Sequence, residues 1–214
     1  MSYLEINNLT KIIKGNKVLD NINLKLEKGK IYGFIGRNGS GKTMLFRAIC
    51  GLIKPTEGNV IINGKELHKD ISFPESVGVI IENPGFWNNY TAFENLKTLS
   101  SIKNLIDNND ILSYLKTVDL DNSANVKYKK FSLGMKQRLA ICQAIMEKPD
   151  LIILDEPTNA LDIDGCTLVR NILLEEKKRG ATILIASHNR EDIDTLADVK
   201  FKIDKGSIII NDII

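Results

Sequence analysis

An apolar strand that ends in a glycine turn and opens straight into a helix leaves few folds available. Ile31–Ile35 followed by Gly36-Arg-Asn-Gly39-Ser-Gly41-Lys42-Thr43 is such a segment. The spacing GxxxxGK[ST] lets the backbone curl around a phosphate with its N–H groups turned inward, along a path that a Cβ at the glycines would obstruct. The helix predicted over Lys42–Ile49 adds the partial positive charge of its N-terminus. Lys42 is expected to reach the β- and γ-phosphates of a nucleotide, and the Thr43 hydroxyl to ligate Mg2+.

The remaining pattern supplies a sheet for this turn to sit on. Period-2 spacing at Leu4/Ile6 and Ile22/Leu24/Leu26 predicts half-buried antiparallel strands, and Asn63-Gly64 a hairpin turn. The apolar runs Leu151-Ile-Ile-Leu154 and Ile183-Leu-Ile-Ala186 are of the kind buried on both faces of a parallel sheet. A strand is predicted over residues 77–81, a helix over 164–179 closed by Gly180, and a hairpin about Asp204-Lys-Gly206. Thr91 and Glu94 are spaced as a capping box, and helical patterning dominates from there to Lys148. The fold class is therefore α/β: a core with a mainly parallel sheet from residues 1–85 and 149–214, an N-terminal antiparallel β piece, and an inserted α-helical subdomain over 86–148.

Composition excludes several functions. Lys and Arg number 29 against 27 Asp and Glu, a net +2 with no long basic block, so a nucleic-acid footprint is not expected. Cys50, Cys142 and Cys166 stand far apart, without the spacing of a zinc site or disulfide framework. No signal peptide is read at the start, and no apolar run approaches the roughly 18 residues a bilayer crossing needs.

A second set of residues fits the chemistry of cleaving a phosphate. Asp155 ends a hydrophobic strand at the carboxyl edge of the predicted sheet, where ligands bind, and is placed to hold Mg2+. Glu156 is placed to orient or deprotonate an attacking water. His188 follows the next buried strand at the same edge, within reach of a γ-phosphate. Ser132 and Gly134, in Phe131-Ser-Leu-Gly-Met-Lys-Gln-Arg138, sit where a helix begins, with a hydroxyl cap and a positive helix end. They form a second anion site.

With that segment the chain resembles the ATP-binding cassette (ABC) ATPases. Residues 36–43 look like Walker A, 132–136 like the signature motif, 151–156 like Walker B, Asn159-Ala-Leu-Asp162 like the D-loop, and His188 like the switch histidine, all in the family's order. The resemblance implies a P-loop NTPase core and ATP hydrolysis with Mg2+. It places nucleotide contacts on Gly36, Asn38, Gly39, Ser40, Gly41, Lys42, Thr43 and Met44, metal contacts on Thr43, Glu82 and Asp155, and catalytic roles on Glu156, His188 and Lys42. A second ABC ATPase chain, identical or a paralogue, is implied too. Its Ser132 and Gly134 would complete the site, and Asp162 of the D-loop-like segment counts among the nucleotide contacts. Separately encoded permease subunits would hold the chain on the cytoplasmic face of the membrane.

Three departures from the family pattern carry information. Ile13 takes the position of an aromatic ring that packs on adenine. The signature reads Ser-Leu-Gly-Met, keeping Ser132 and Gly134. Glu82 stands where most of the family has glutamine, adding a full negative charge beside the metal site. Glu82, Pro84-Gly-Phe-Trp87 and residues 131–135 together resemble ATPases of bacitracin-resistance and lantibiotic-immunity exporters, which implies export of a membrane-active peptide or drug. Phe86, Trp87 and Tyr90 read as an exposed aromatic cluster able to receive a permease helix, or alternatively as packing within the helical subdomain.

Two other classes stand beside the exporter reading. A non-transport ABC ATPase acting on ribosomes or DNA usually carries two cassettes, a long charged linker or a coiled-coil insert, and none is seen in these 214 residues. A metabolic kinase or GTPase would not need the 132–136 element.

Overall fold

The computed structural model describes residues 2–82, 85–188 and 190–213. Its centre is β3 (Ile31–Ile35), which lies parallel to β8 (Thr182–Ala186) on one side and β9 (Val199–Asp204) on the other. β7 (Leu151–Asp155) and β6 (Val77–Ile80) continue the sheet in parallel beyond β8, and β10 (Ser207–Ile213) closes the other edge antiparallel to β9. The order is β10-β9-β3-β8-β7-β6. A separate antiparallel sheet joins β1 (Ser2–Ile13), β2 (Asn16–Glu27), β4 (Glu57–Ile62) and β5 (Lys65–Glu66) in the order β2-β1-β4-β5. The Asn63-Gly64 turn between β4 and β5 has both residues at positive φ, 50° and 79°, as a two-residue hairpin requires.

Strand side chains alternate between two cores. Tyr32, Phe34, Ile153 and Leu184 face a layer formed by α1 (Lys42–Ile49) and the antiparallel sheet. Ile31, Ile152, Leu154, Ile183 and Ile185 face the remaining helices. Phe34 meets Phe46 of α1 edge-on at 5.4 Å and stacks on Phe201 at 5.1 Å, which fixes the helix that follows the glycine turn. Truncating such a ring costs about 3–5 kcal/mol.

On the second face lie α2 (Ala92–Ser100), α3 (Asn108–Thr117), α4 (Leu133–Ile145), α5 (Ile163–Lys178) and α6 (Arg190–Leu196). Thr91 caps α2 reciprocally with Glu94, as its spacing predicts. Helix α4 packs so closely on β6 that a Cβ at Gly78 would lie 1.7 Å from the Ala144 carbonyl oxygen. Only glycine permits that approach.

Of the two readings of the aromatic cluster, Phe86 follows the packed one: it is buried against Tyr128, ring centroids 5.2 Å apart, in the core shared with Phe131. Trp87 and Tyr90 remain about half exposed and pair with each other at 5.7 Å. Among the described residues, no helix is long and apolar enough to cross a membrane.

Candidate active site

The glycine turn and the carboxyl ends of β6 and β7 border one cavity of about 810 Å³. Asn38, Gly39, Ser40, Gly41, Lys42, Thr43 and Met44 line it from the turn, and Glu82, Asp155 and Glu156 from the strand ends. Gly41 caps α1 at φ 112°, a left-handed conformation that costs glycine little, and the first residues of α1, Lys42 and Thr43, line the cavity. Lys42 is buried, its ammonium donating to the carbonyl oxygens of Gly36 at 2.7 Å and Arg37 at 3.3 Å. The turn thus folds around its own cation.

Thr43 Oγ1 donates to Asp155 Oδ2 at 2.6 Å, although the two residues are 112 apart in the chain. Burial pushes the Asp155 carboxyl above its ordinary value. The Thr43 hydrogen bond opposes that rise, and the neighbouring Glu156 charge adds to it. Glu156 follows with φ 54° and turns its carboxylate toward His188. It accepts from the His188 backbone N–H at 3.1 Å and lies 2.8 Å from His188 Nδ1. Glu82 also has positive φ, 60°, at the end of the neighbouring strand.

Hard oxygen donors suit Mg2+, which commonly takes one or two carboxylates together with substrate phosphates. Thr43 and Asp155 meet that description. The hydroxyl of the buried Ser40 has no hydrogen-bond partner among the described residues, an orphaned polar group in the wall of the phosphate turn. No group of three or more His, Cys, Asp or Glu among the described residues stands ready to hold a metal alone. The donor set therefore fits an ion that arrives with phosphate oxygens.

Ser132 and Gly134 line a different cavity, also about 810 Å³, together with Asp162. Ser132 caps α4 by accepting from Met135 N–H at 3.2 Å, and Asp162 caps α5 by accepting from Gly165 N–H at 2.8 Å. The glycine turn and the Ser132 helix tip do not share a cavity within one chain. Ile13, half exposed at the end of β1, is not on the Lys42 cavity, where Lys17 and Val18 of β2 stand instead.

Other contributors escaped the sequence reading. Gln137 of α4 donates to the carbonyl oxygens of Glu156 at 3.2 Å and Pro157 at 2.9 Å, tying the Ser132 helix to the turn that carries Glu156. Arg47 Nη2 donates to Glu82 Oε1 at 2.7 Å. Lys205 and Gly206, from the β9–β10 turn, close the cavity beside Val18. Gln137 and Arg47 lie beside recognised motifs, the one local hint; their partners are set by tertiary packing.

Residues 19–159 match the ABC transporter family. An uncharacterized ABC transporter ATP-binding protein of Bacillus subtilis (strain 168) is 58% identical over 96% of this chain and 94% of its own length. The bacitracin transport ATP-binding protein of Enterococcus faecalis is 39% identical over 96% of this chain and 68% of its own. The lantibiotic transport ATP-binding protein of Streptococcus pyogenes is 38% identical over 97% and 89%. Among solved structures, the ATP binding subunit of an ABC transporter superposes with a TM-score of 0.91 at 25% identity, covering 100% of this chain and 90% of that one. A dimeric bacterial ABC transporter cassette shares the fold, with a TM-score of 0.89 at 24% identity over 98% of each chain.

Proposed function

This chain belongs to the ABC transporter family, and from that premise we propose that it is the ATP-hydrolysing subunit of a bacterial exporter of bacitracin- or lantibiotic-like peptides or related drugs. The observation that carries this reading is the meeting of Lys42, Thr43, Asp155 and Glu156 on one cavity, with the Ser132 helix tip on another.

ATP enters with its phosphates in the residue 36–43 turn, where backbone N–H groups and the Lys42 ammonium replace water around the β- and γ-phosphates. Lys42 exchanges its two carbonyl partners for phosphate oxygens. Thr43, Asp155 and Glu82 would hold Mg2+, which supplies charge neutralisation on the phosphates when bound. Glu156 orients the attacking water and takes its proton, while His188 fixes the carboxylate. Water oxygen bonds to the γ-phosphorus, the bond to the β–γ bridging oxygen breaks, and ADP and phosphate leave.

A γ-phosphate held on one side presents uncompensated negative charge outward. The Ser132 helix of a second cassette, identical or paralogous, would meet it, with Gly134 and Asp162 at the same face. ATP then stabilises the closed pair by mass action, and hydrolysis releases it. The two parts that make this possible are a nucleotide-binding core of residues 1–85 and 149–214 and a signature-bearing subdomain of 86–148. Val18 would border the base at the edge of the cavity, with Ile13 beyond it at the end of β1 where the base projects out of the cavity.

Permease subunits would hold the chain at the cytoplasmic face of the membrane. Two surfaces suit them: the Trp87–Tyr90 pair, and an apolar groove edged by the exposed Leu52, Phe73 and Ile102. The test is ATPase activity of the chain co-purified with the membrane proteins encoded beside it, with and without bacitracin or a lantibiotic. Stimulation by peptide is the expected result; a rate indifferent to both permease and peptide would defeat the exporter reading.

A further inference from the structure

The Arg47–Glu82 ion pair joins the phosphate-site helix to the loop after β6. Arg47 lies in the last turn of α1, four residues past Thr43, so both project from the same side of that helix. Glu82 lies two residues beyond Ile80. The β6–β7 register pairs Ile80 with Leu154, which sets Glu82 level with Glu156 at the same sheet edge. Glu82, Asp155 and Glu156 therefore bring three carboxylates to one cavity wall. Such a wall needs a counter-charge when no metal is bound. Lys42 is occupied by the carbonyl oxygens of its own turn, and Arg47 is the cation on Glu82.

We propose that Arg47 is a positioning residue that holds the Glu82 carboxylate against α1 until Mg2+ arrives with nucleotide, and that Glu82 then exchanges the guanidinium for the metal. This inference rests on the Mg2+–nucleotide reading of the Lys42 cavity. Exchange demands a weak hold, and the pair is built for one. The side chains are 34% and 63% exposed, and exposed ion pairs shift equilibria by no more than about five-fold. A buried pair would lock the loop; this one biases it. Glutamine at position 82 would carry no charge for Arg47 to hold, so the device depends on the glutamate.

The test is a thermodynamic cycle on nucleotide binding, with no turnover. The affinity of the full chain for a fluorescent non-hydrolysable ATP analogue is measured in excess Mg2+ and in EDTA, and the ratio of the two dissociation constants gives the Mg2+ coupling. Arg47→Gln removes the competitor, so the coupling should rise by about two- to five-fold. In the Glu82→Gln background the same substitution should leave the coupling unchanged. Arg47→Lys, which keeps the charge, should stay within about two-fold of wild type and shows whether any Arg47→Gln effect is mere misfolding. An equal effect of Arg47→Gln in both backgrounds, or none in either, overturns the exchange while leaving the metal site intact. A wild-type chain whose affinity ignores Mg2+ overturns the metal reading and the exchange together.

Discussion

His188 Nδ1 lies 2.8 Å from Glu156 Oε2, and the backbone N–H of the same histidine donates to Oε1 at 3.1 Å. One residue thus grips both oxygens of the carboxylate that would activate water. Glu156→Gln keeps the shape of that contact but cannot take a proton. Turnover should fall by about 10²- to 10⁴-fold while nucleotide affinity stays within about two-fold. His188→Ala keeps the backbone donor and should cost nearer ten-fold. Single-turnover ATPase assays beside equilibrium binding separate the two effects. A Glu156→Gln chain that hydrolyses at the wild-type rate would remove Glu156 from the mechanism.

Asp155 offers a stability test with a definite sign. Its carboxyl is raised by burial, so between its unfolded and folded titration ranges the native state holds more protons than the unfolded one. Stability from this group is therefore full below the unfolded value and is lost as pH rises through the raised folded value. Asp155→Asn cannot ionise, and its amide oxygen can still accept from Thr43. The variant should melt at the wild-type temperature in acid and above it at neutral pH, while losing Mg2+-dependent nucleotide binding. Thermal melts across pH 4 to 8 check this; a variant that is destabilised at neutral pH would show that the ionised carboxylate supports the fold.

Much of the site was legible in the sequence because its signals are local. The glycine turn, the Lys42–Ile49 helix, the Thr91–Glu94 cap and the Asn63-Gly64 hairpin each depend on residues a few positions apart. What was not legible depends on packing. Phe86 follows a glycine in a polar stretch, and its sequence neighbours leave exposure and packing both open; Tyr128 and Phe131 decide it by burying the ring. Lys17 and Val18 carry no local signal of their own, and it is the packing of β10 on β2 that brings them to the cavity. Glu82 was visible as an extra charge, but its partner is 35 residues away on another element.

The separation of Ser132 from the Lys42 cavity makes the composite site testable by mixing. Lys42→Ala should lose about ten- to a hundred-fold in nucleotide affinity, since hydrogen bonds to charged groups contribute about 1.5–3 kcal/mol. Ser132→Arg keeps its own phosphate turn and spoils only what it offers a partner. Each variant alone has no intact composite site, whereas a mixed pair has one. ATPase activity should be restored in co-expressed, tagged heterodimers; if these are as inactive as either parent, the sites do not interleave.

Three elements meet at Asp192, and their meeting point should be the least forgiving of substitution. Asp192 of α6 is fully buried; Arg170 of α5 reaches Oδ1 through Nε at 2.9 Å and Nη2 at 2.6 Å, and the Thr158 hydroxyl donates to Oδ2. Thr158 belongs to the turn after Glu156, and α6 follows His188, so this network braces from behind the segments that carry Glu156 and His188. Arg170→Met leaves a buried carboxylate without its cation, which costs about 3–5 kcal/mol. At about 2–4 °C per kcal/mol for a chain of this size, melting should fall by roughly 10 °C. Pairing it with Asp192→Leu removes the stranded charge and should recover most of the loss, because apolar replacement of a whole buried pair is often nearly neutral. Turnover should not recover with stability, since the turn and the histidine helix have then lost their polar tie. If the double variant melts no higher than the single one, shape and not charge holds the three elements together; if it regains full ATPase activity, the network has no part in placing Glu156 and His188.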